Sequence, residues 1–402
     1  MRPFGETMPL EQAQAIIAAA VHPIERTERV PLDAASGRVL ARDVVATADV
    51  PPFSRAAMDG YAVRAEDTTG ATRARPATLT RIEQVFTGQM PAKPVGAGQC
   101  TEIATGAPMP AGADAVVMVE ETEADASGHV RVLSPVQPRQ HVGHQGADIQ
   151  AGQTVLHAGD VLNASRVGAL AALGIADADV YSRPGVAILS TGNEIVEPGR
   201  PLAPGQIYDI NRFTLSAVVA EHGGVPVTHR AAADTLEDLS RAVDDCLAQD
   251  LIVFSGGSSV GERDLILDVL TARGELLFHG IAVKPGKPTA FGRIEGTLFF
   301  GMPGYPTSCL SNAYILLAPA LRRMARLPAS AVRSVTLPLS RRVTSVPGRH
   351  QFYSVRIVDR AAVPAFKASG DITSMSQADG YIEIPADVEV VEQGEIVEVK
   401  LF

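Results

Sequence analysis

Leu251-Ile-Val-Phe-Ser-Gly-Gly-Ser-Ser-Val-Gly-Glu-Arg-Asp264, Val283-Lys-Pro-Gly-Lys-Pro288 and Gly301-Met-Pro-Gly-Tyr-Pro-Thr-Ser308 follow one another within residues 250–308. The first is an apolar run that stops at paired glycines. That pattern reads as a buried parallel strand ending in a loop. Open α/β sheets bind ligands at such strand ends. The second packs two lysines and two prolines into five residues, and the third is a Gly/Pro-stiffened turn leading into an apolar helix. Three rigid, backbone-rich loops in one α/β segment point to a site for an anionic ligand.

Working outward, 402 residues predict roughly two to four domains. A net charge of −10 argues against nucleic acid or an anionic membrane as the main partner. No apolar run approaches the ~20 residues that span a bilayer. The N-terminal stretch lacks the pattern of a signal peptide. Cys100, Cys246 and Cys309 form no CxxC and no metal-like spacing, so they read as reduced thiols of a cytoplasmic protein. Lysine occurs only at 93, 284, 287, 367 and 400; arginine supplies nearly all other positive charge. Two of these five lysines fall in one tetrapeptide. A lysine is a compact point charge that approaches phosphate where a guanidinium fork does not fit, so Lys284 and Lys287 read as ligand-facing.

Upstream, residues 9–20 read as a helix with an apolar face. Val50-Pro-Pro-Phe53 is extended, and Asp59-Gly60 reads by itself as a plain turn. From 77 to 160, short Val/Ile/Thr runs alternate with Gly/Pro turns, the mark of a β-domain placed between helical pieces. His141 and His144 have no partner at zinc spacing and read as surface histidines. Residues 160–175 predict a helix with Asn163 as N-cap and Gly174 as stop. From 185 strands alternate with helices: a strand Val186–Ser190 ending at Thr191-Gly-Asn-Glu194, a helix capped by Asn211, and a capping box at Thr235–Asp238. This predicts a doubly wound α/β domain. After Leu327-Pro328, short strands suggest a small β-barrel or sandwich.

The Ser255–Gly261 loop joins a strand to a helix, and its glycines let backbone N–H groups face a concavity. It is neither a P-loop nor a dinucleotide fingerprint. Glu194, Asp234 and Asp264 lie at or just after strand ends. Carboxylates beside phosphate suit magnesium, which takes one or two of them with phosphate oxygens and water; helix capping explains Asp234 and Asp264 equally well. No Ser-His-Asp or Cys-His set has supporting context.

Val50-Pro-Pro-Phe53, Ala57-Met-Asp-Gly-Tyr-Ala62, Thr105-Gly-Ala-Pro108, Ser190-Thr-Gly-Asn-Glu194, Gly205-Gln-Ile-Tyr-Asp-Ile-Asn211, Ser255-Gly-Gly257 with Ser259-Val-Gly261, Lys284-Pro-Gly-Lys-Pro288 and Gly301-Met-Pro-Gly304 occur in this order. The ordered set resembles the molybdopterin molybdenumtransferases of the MoeA family, similar also to the E domain of gephyrin, over nearly the whole chain. The resemblance implies four parts. These are a discontinuous helical and extended domain (1–45 and 147–176), an inserted β-domain (46–146), a molybdopterin-binding α/β domain (177–327) and a C-terminal β-barrel (328–402).

It also implies a reaction: adenylylated molybdopterin and molybdate give molybdenum cofactor and AMP, with magnesium. It implies a homodimer whose site joins the α/β domain of one subunit to the inserted domain of the other, and contact with the molybdopterin adenylyltransferase. By motif position, Asp59, Asp264, Lys284 and Lys287 are the expected catalytic residues. Thr191, Gly192, Ser255, Gly256, Gly257, Ser259, Gly261, Pro303 and Gly304 are expected to hold the substrate, and Glu194, Asp234 and Asp148 the metal.

The chain departs from the family pattern in places. Ser54-Arg55 stands for Asp-Asn, Asn193 for Asp, His144–Asp148 for an Arg-rich segment, Ser258 for Val and Tyr305 for Asn. These departures raise a further expectation, a pterin-binding or scaffold paralogue without turnover; a tungstate-inserting homologue is a third reading, because molybdate and tungstate nearly match in charge and shape.

Overall fold

The computed structural model describes residues 7–192, 194–230, 236–256, 269 and 272–402. The chain forms two compact units, Arg29–Asp179 and the remainder, which joins the residues before Arg29 to Val180–Phe402.

The larger unit is built on a six-stranded sheet. Its strands run in the order Val225–Arg230, Gly185–Ser190, Leu251–Ser255, Thr297–Met302, Ala290–Ile294 and Gly274–His279. The first four are parallel, and the last two are added antiparallel. Successive strand side chains face opposite sides of a sheet, and here the two sides face separate cores. Val186, Ile188, Leu251 and Val253 pack with the helices Leu10–Ala20, Asn211–Glu221 and residues 306–324. Ala187, Leu189, Ile252 and Phe254 pack with helix Leu236–Cys246 on the other side. Helices on both faces explain why these strands are apolar at every position, and the sheet is doubly wound. The N-terminal helix buries Leu10, Ala13 and Ile17 in this α/β core.

Residues 306–324 form a continuous helical run with a π turn at Ala313–Leu317. Pro319 lacks the N–H that would continue the ladder there.

C-terminal strands Ser334–Pro338, His350–Val358, Ala361–Pro364, Gly380–Ile384 and Ile396–Leu401 form a second sheet. A bridge between Leu339 and Ala362 joins its two ends, closing a small barrel around Val355, Ile382, Ile384 and Val399. The Val283–Lys284 strand pairs with His350–Gln351 and fastens the barrel to the α/β part.

The smaller unit carries its own six-stranded sheet, in the order Ala115–Met118, Gly60–Val63, Gln99–Ile103, Ala77–Val85, His129–Val132 and Thr122–Ala124. The segments flanking this insert meet through the Val44–Val45 and Thr154–Leu156 strands and a Val50–Ile149 bridge. The helix expected from residue 160 begins at Ala164. It is capped by the Asn163 side chain, which accepts the Arg166 N–H at 3.0 Å.

Candidate functional site

Ser190, Ser255 and Met302 lie in register at the ends of three adjacent parallel strands. The residues that follow them therefore emerge side by side. The Thr191 N–H donates to Ser255 O at 3.2 Å. Gly256 has φ +101, and a methyl there would sit 2.6 Å from Thr191 O. Only glycine takes that conformation at that spacing without strain. From Gly304, a methyl would reach Gly256 Cα at 3.8 Å. Thr191, Gly192, Ser255, Gly256, Pro303 and Gly304 are thus gathered at one edge of the sheet. Ser255 is buried and bonds to the Cys309 thiol, which burial pushes up to about 12. Glu194 is exposed and folds back over Gly192, where a methyl would lie 2.7 Å from its Oε2.

The lysine turn is held from behind. Lys284 and Lys287 flank Gly286, which has φ +106. The Asn312 side chain, wholly buried, donates from Nδ2 to Gly286 O at 2.8 Å and to Thr289 Oγ1 at 2.6 Å. Thr289 Oγ1 in turn donates to Gly286 O at 2.9 Å. The backbone N–H groups of Ile281 and Thr289 both donate to Lys287 O.

A second asparagine holds the third loop. Asn211 Nδ2 donates to Gly304 O at 2.8 Å. Asn211 therefore does not cap its helix; the Asp209 carboxylate does, accepting the Arg212 N–H at 3.0 Å. The amide is turned with Nδ2 toward Gly304, and its Oδ1 accepts no N–H from the helix end. Thr307, just past Tyr305, donates from N to Ser369 O and from Oγ1 to Asp371 O, so the barrel braces the start of the 306–324 helix. Tyr305 is 68% exposed, and its ring lies against Gly370. Sequence reasoning missed Asn312 and the loop role of Asn211. No local signal singles out Asn312, which follows Thr307, Ser308 and Ser311 in the same helical run.

In the smaller unit, Asp59 Oδ1 accepts both the N–H and the hydroxyl of Thr105, at 2.7 and 2.9 Å. The amide first, and the hydroxyl second, hold its carboxyl below the ordinary range of 3.8. Its neighbour Gly60 is pressed against the Val117 carbonyl, leaving no room for a side chain. The Asp59 turn is therefore fixed and its exposed carboxylate ionised at neutral pH. Asp148 is exposed, and its backbone N–H donates to Val50 O. His141 Nδ1 bonds to Val116 O, and His144 Nε2 accepts from the Arg139 guanidinium.

Asp234, Gly257, Ser259, Gly261 and Asp264, like Asn193 and Ser258, lie outside the described residues. Among the described residues no group of three metal-ligating side chains occurs. Among the described residues, the exposed Glu194 carboxylate follows the Ser190 strand end, and magnesium binds through one or two such carboxylates with phosphate oxygens.

Parallel strand ends with rigid glycine loops and a braced lysine turn define a doubly wound α/β protein with accessory β modules. Family models match successive parts of the chain: the MoeA N-terminal region (domain I and II) over residues 8–174, a probable molybdopterin binding domain over 187–323, and the MoeA C-terminal region (domain IV) over 336–402. Molybdopterin molybdenumtransferase 2 of Mycobacterium tuberculosis is 35% identical, across 96% of this chain and 97% of that protein. The molybdopterin molybdenumtransferase of Haemophilus influenzae is 32% identical, across 98% of each. The crystal structure of a molybdopterin biosynthesis MoeA protein from Pyrococcus horikoshii superposes with a TM-score of 0.84 at 40% identity, covering 98% of this chain and 99% of that one. The chain belongs to the MoeA family of molybdopterin molybdenumtransferases.

Proposed function

We propose that this protein inserts molybdate into adenylylated molybdopterin, releasing AMP and forming molybdenum cofactor. The observation that carries the reading is the braced Lys284–Lys287 turn in a chain that also presents three backbone loops at adjacent strand ends. Lys284 and Lys287 neutralise phosphate charge. Backbone N–H groups of the loop that begins at Ser255 orient the phosphates. Glu194, with Asp234 and Asp148, would by the family pattern hold magnesium, which when bound would polarise the phosphoanhydride. Asp264 belongs to the same reading as a catalytic carboxylate.

Asp59, an ionised side chain on a fixed turn, completes the site from the second subunit of a homodimer. Contact with the molybdopterin adenylyltransferase belongs to the same reading. Purified protein given adenylylated molybdopterin, magnesium and molybdate is expected to release AMP. Release no greater than without enzyme overturns the reading.

One observation favours a second reading: the exposed Tyr305 phenol beside the Gly304 loop, where the family pattern has Asn. A pterin-holding scaffold would bind without turnover and would not complement a transferase-deficient strain; complementation excludes it. Competition between molybdate and tungstate in the AMP assay decides the metal.

A further inference from the structure

We propose that Asn312 is a positioning residue that sets where Lys284 and Lys287 present their ammonium groups, an inference that rests on the transferase reading for its effect on rate. Asn312 sits on the apolar 306–324 helix and is wholly buried. A buried amide is costly unless its groups are bonded. Its Nδ2 is fully used, on Gly286 O and Thr289 Oγ1. Its Oδ1 has no hydrogen-bond partner. A half-satisfied amide is a poor choice for core stability, since the orphaned oxygen costs about 1–3 kcal/mol. The residue is better explained by what it holds than by what it contributes to packing.

What it holds is the centre of the lysine turn. Gly286 lies between the two lysines with φ +106, and a methyl there would run into the Asn312 amide. The turn is therefore pressed onto the helix at that point, with Thr289 closing a three-membered hydrogen-bonded ring. The same helical run starts directly after Gly304 and Tyr305. Gly304 O is itself held by Asn211. One rigid element thus fixes the lysine turn relative to the glycine loop, so the lysines and the backbone donors keep a set spacing for one anion.

Asn312→Asp tests this, because it keeps the shape and removes both donors; Asn312→Thr, which retains one donor, is the conservative partner. Two readouts are taken on the full-length protein. The first is kcat and KM for AMP release. We expect kcat/KM to fall about 30-fold in Asn312→Asp, as for a displaced catalytic group, and to recover at least threefold of that in Asn312→Thr. The second is acetylation by acetic anhydride, read by mass spectrometry at Lys284 and Lys287 against Lys93 and Lys400 in the same molecule. We expect the ratio to change at least threefold in Asn312→Asp. An unchanged ratio in a folded variant overturns the proposal, as does an unchanged kcat/KM in an active enzyme. If the wild type releases no AMP, the transferase reading fails separately, and the acetylation ratio alone upholds or overturns the positioning.

Discussion

The lysine turn and the Asp59 turn each present charge, but they are held in opposite ways. Lys284 and Lys287 ride on a backbone fixed from the inside by Asn312 and by Gly286's left-handed conformation. Asp59 is exposed and held through its own carboxylate, by Thr105. In the first region shape is supplied by buried neighbours that never meet solvent. In the second the functional group and its support are the same hydrogen-bonded pair. The first should therefore fail when its supports are altered, and the second when its own chemistry is altered.

The strongest break falls on the lysines themselves. Lys284→Ala or Lys287→Ala is expected to lower kcat for AMP release by about 100-fold or more, the usual cost of losing one preorganised charge-stabilising group. Thermal stability should change little, because neither side chain belongs to a core. Activity within threefold of wild type for both would end the proposed role of the turn.

Asp59→Asn comes next, with an expected loss of about 10- to 100-fold. Thr105→Val separates charge from support. Without the hydroxyl the Asp59 carboxyl rises toward its ordinary 3.8, while the Thr105 N–H still holds it below. The acidic limb of the kcat/KM profile should move to higher pH in Thr105→Val, with the plateau near pH 7 preserved. An unmoved limb would show that Asp59 does not govern it.

Gly256→Ala probes the shape-held region directly. Its methyl would lie 2.6 Å from Thr191 O at φ +101. Forcing an alanine into that conformation costs about 1–3 kcal/mol, read as a lower denaturation midpoint. An equal change at exposed Met58, beside Asp59, should cost less than about 0.5 kcal/mol. Equal losses at the two positions would erase the contrast.

How much of this could be read from residues alone follows the same division. The doubly wound core was legible because strands covered on both faces must be apolar throughout, as Leu251–Phe254 are. The lysine turn was legible because lysine is scarce in this chain. Asp59 read as an ordinary turn until the surrounding motifs gave it a place. Asn312 was not legible: its partners, Gly286 and Thr289, lie more than twenty residues upstream, and only folding brings an amide in an apolar helix onto them. The cap assigned to Asn211 failed for a related reason. Asp209 and Asn211 are both good capping residues by type, and tertiary structure gave Asn211 to Gly304 instead.

The smallest expected effect extends the comparison to acid. In the smaller unit Asp49, Asp59 and Asp125 are held below the ordinary 3.8, and Glu83 below 4.5, by hydrogen bonds from nearby amides and hydroxyls. A depressed carboxyl stabilises above its unfolded value, and that contribution is lost only as pH falls through the folded value. These solvent-screened groups therefore keep their small contribution until pH falls below their ordinary values of 3.8 and 4.5. The larger unit carries His222, buried, with neither ring nitrogen hydrogen-bonded and its ring edge-on to Tyr314. Burial lowers its affinity for a proton below the ordinary 6.5. The unfolded chain takes up that proton first, so the stability is present above 6.5 and drains away as pH falls from there toward the folded value. The larger unit should thus begin to weaken as pH falls below 6.5, while the smaller one holds. Calorimetry of wild type and His222→Phe at pH 7 and pH 5 checks this: the wild type should lose more of its melting temperature over that interval than the variant. Equal losses would mean that His222 is not the group responsible.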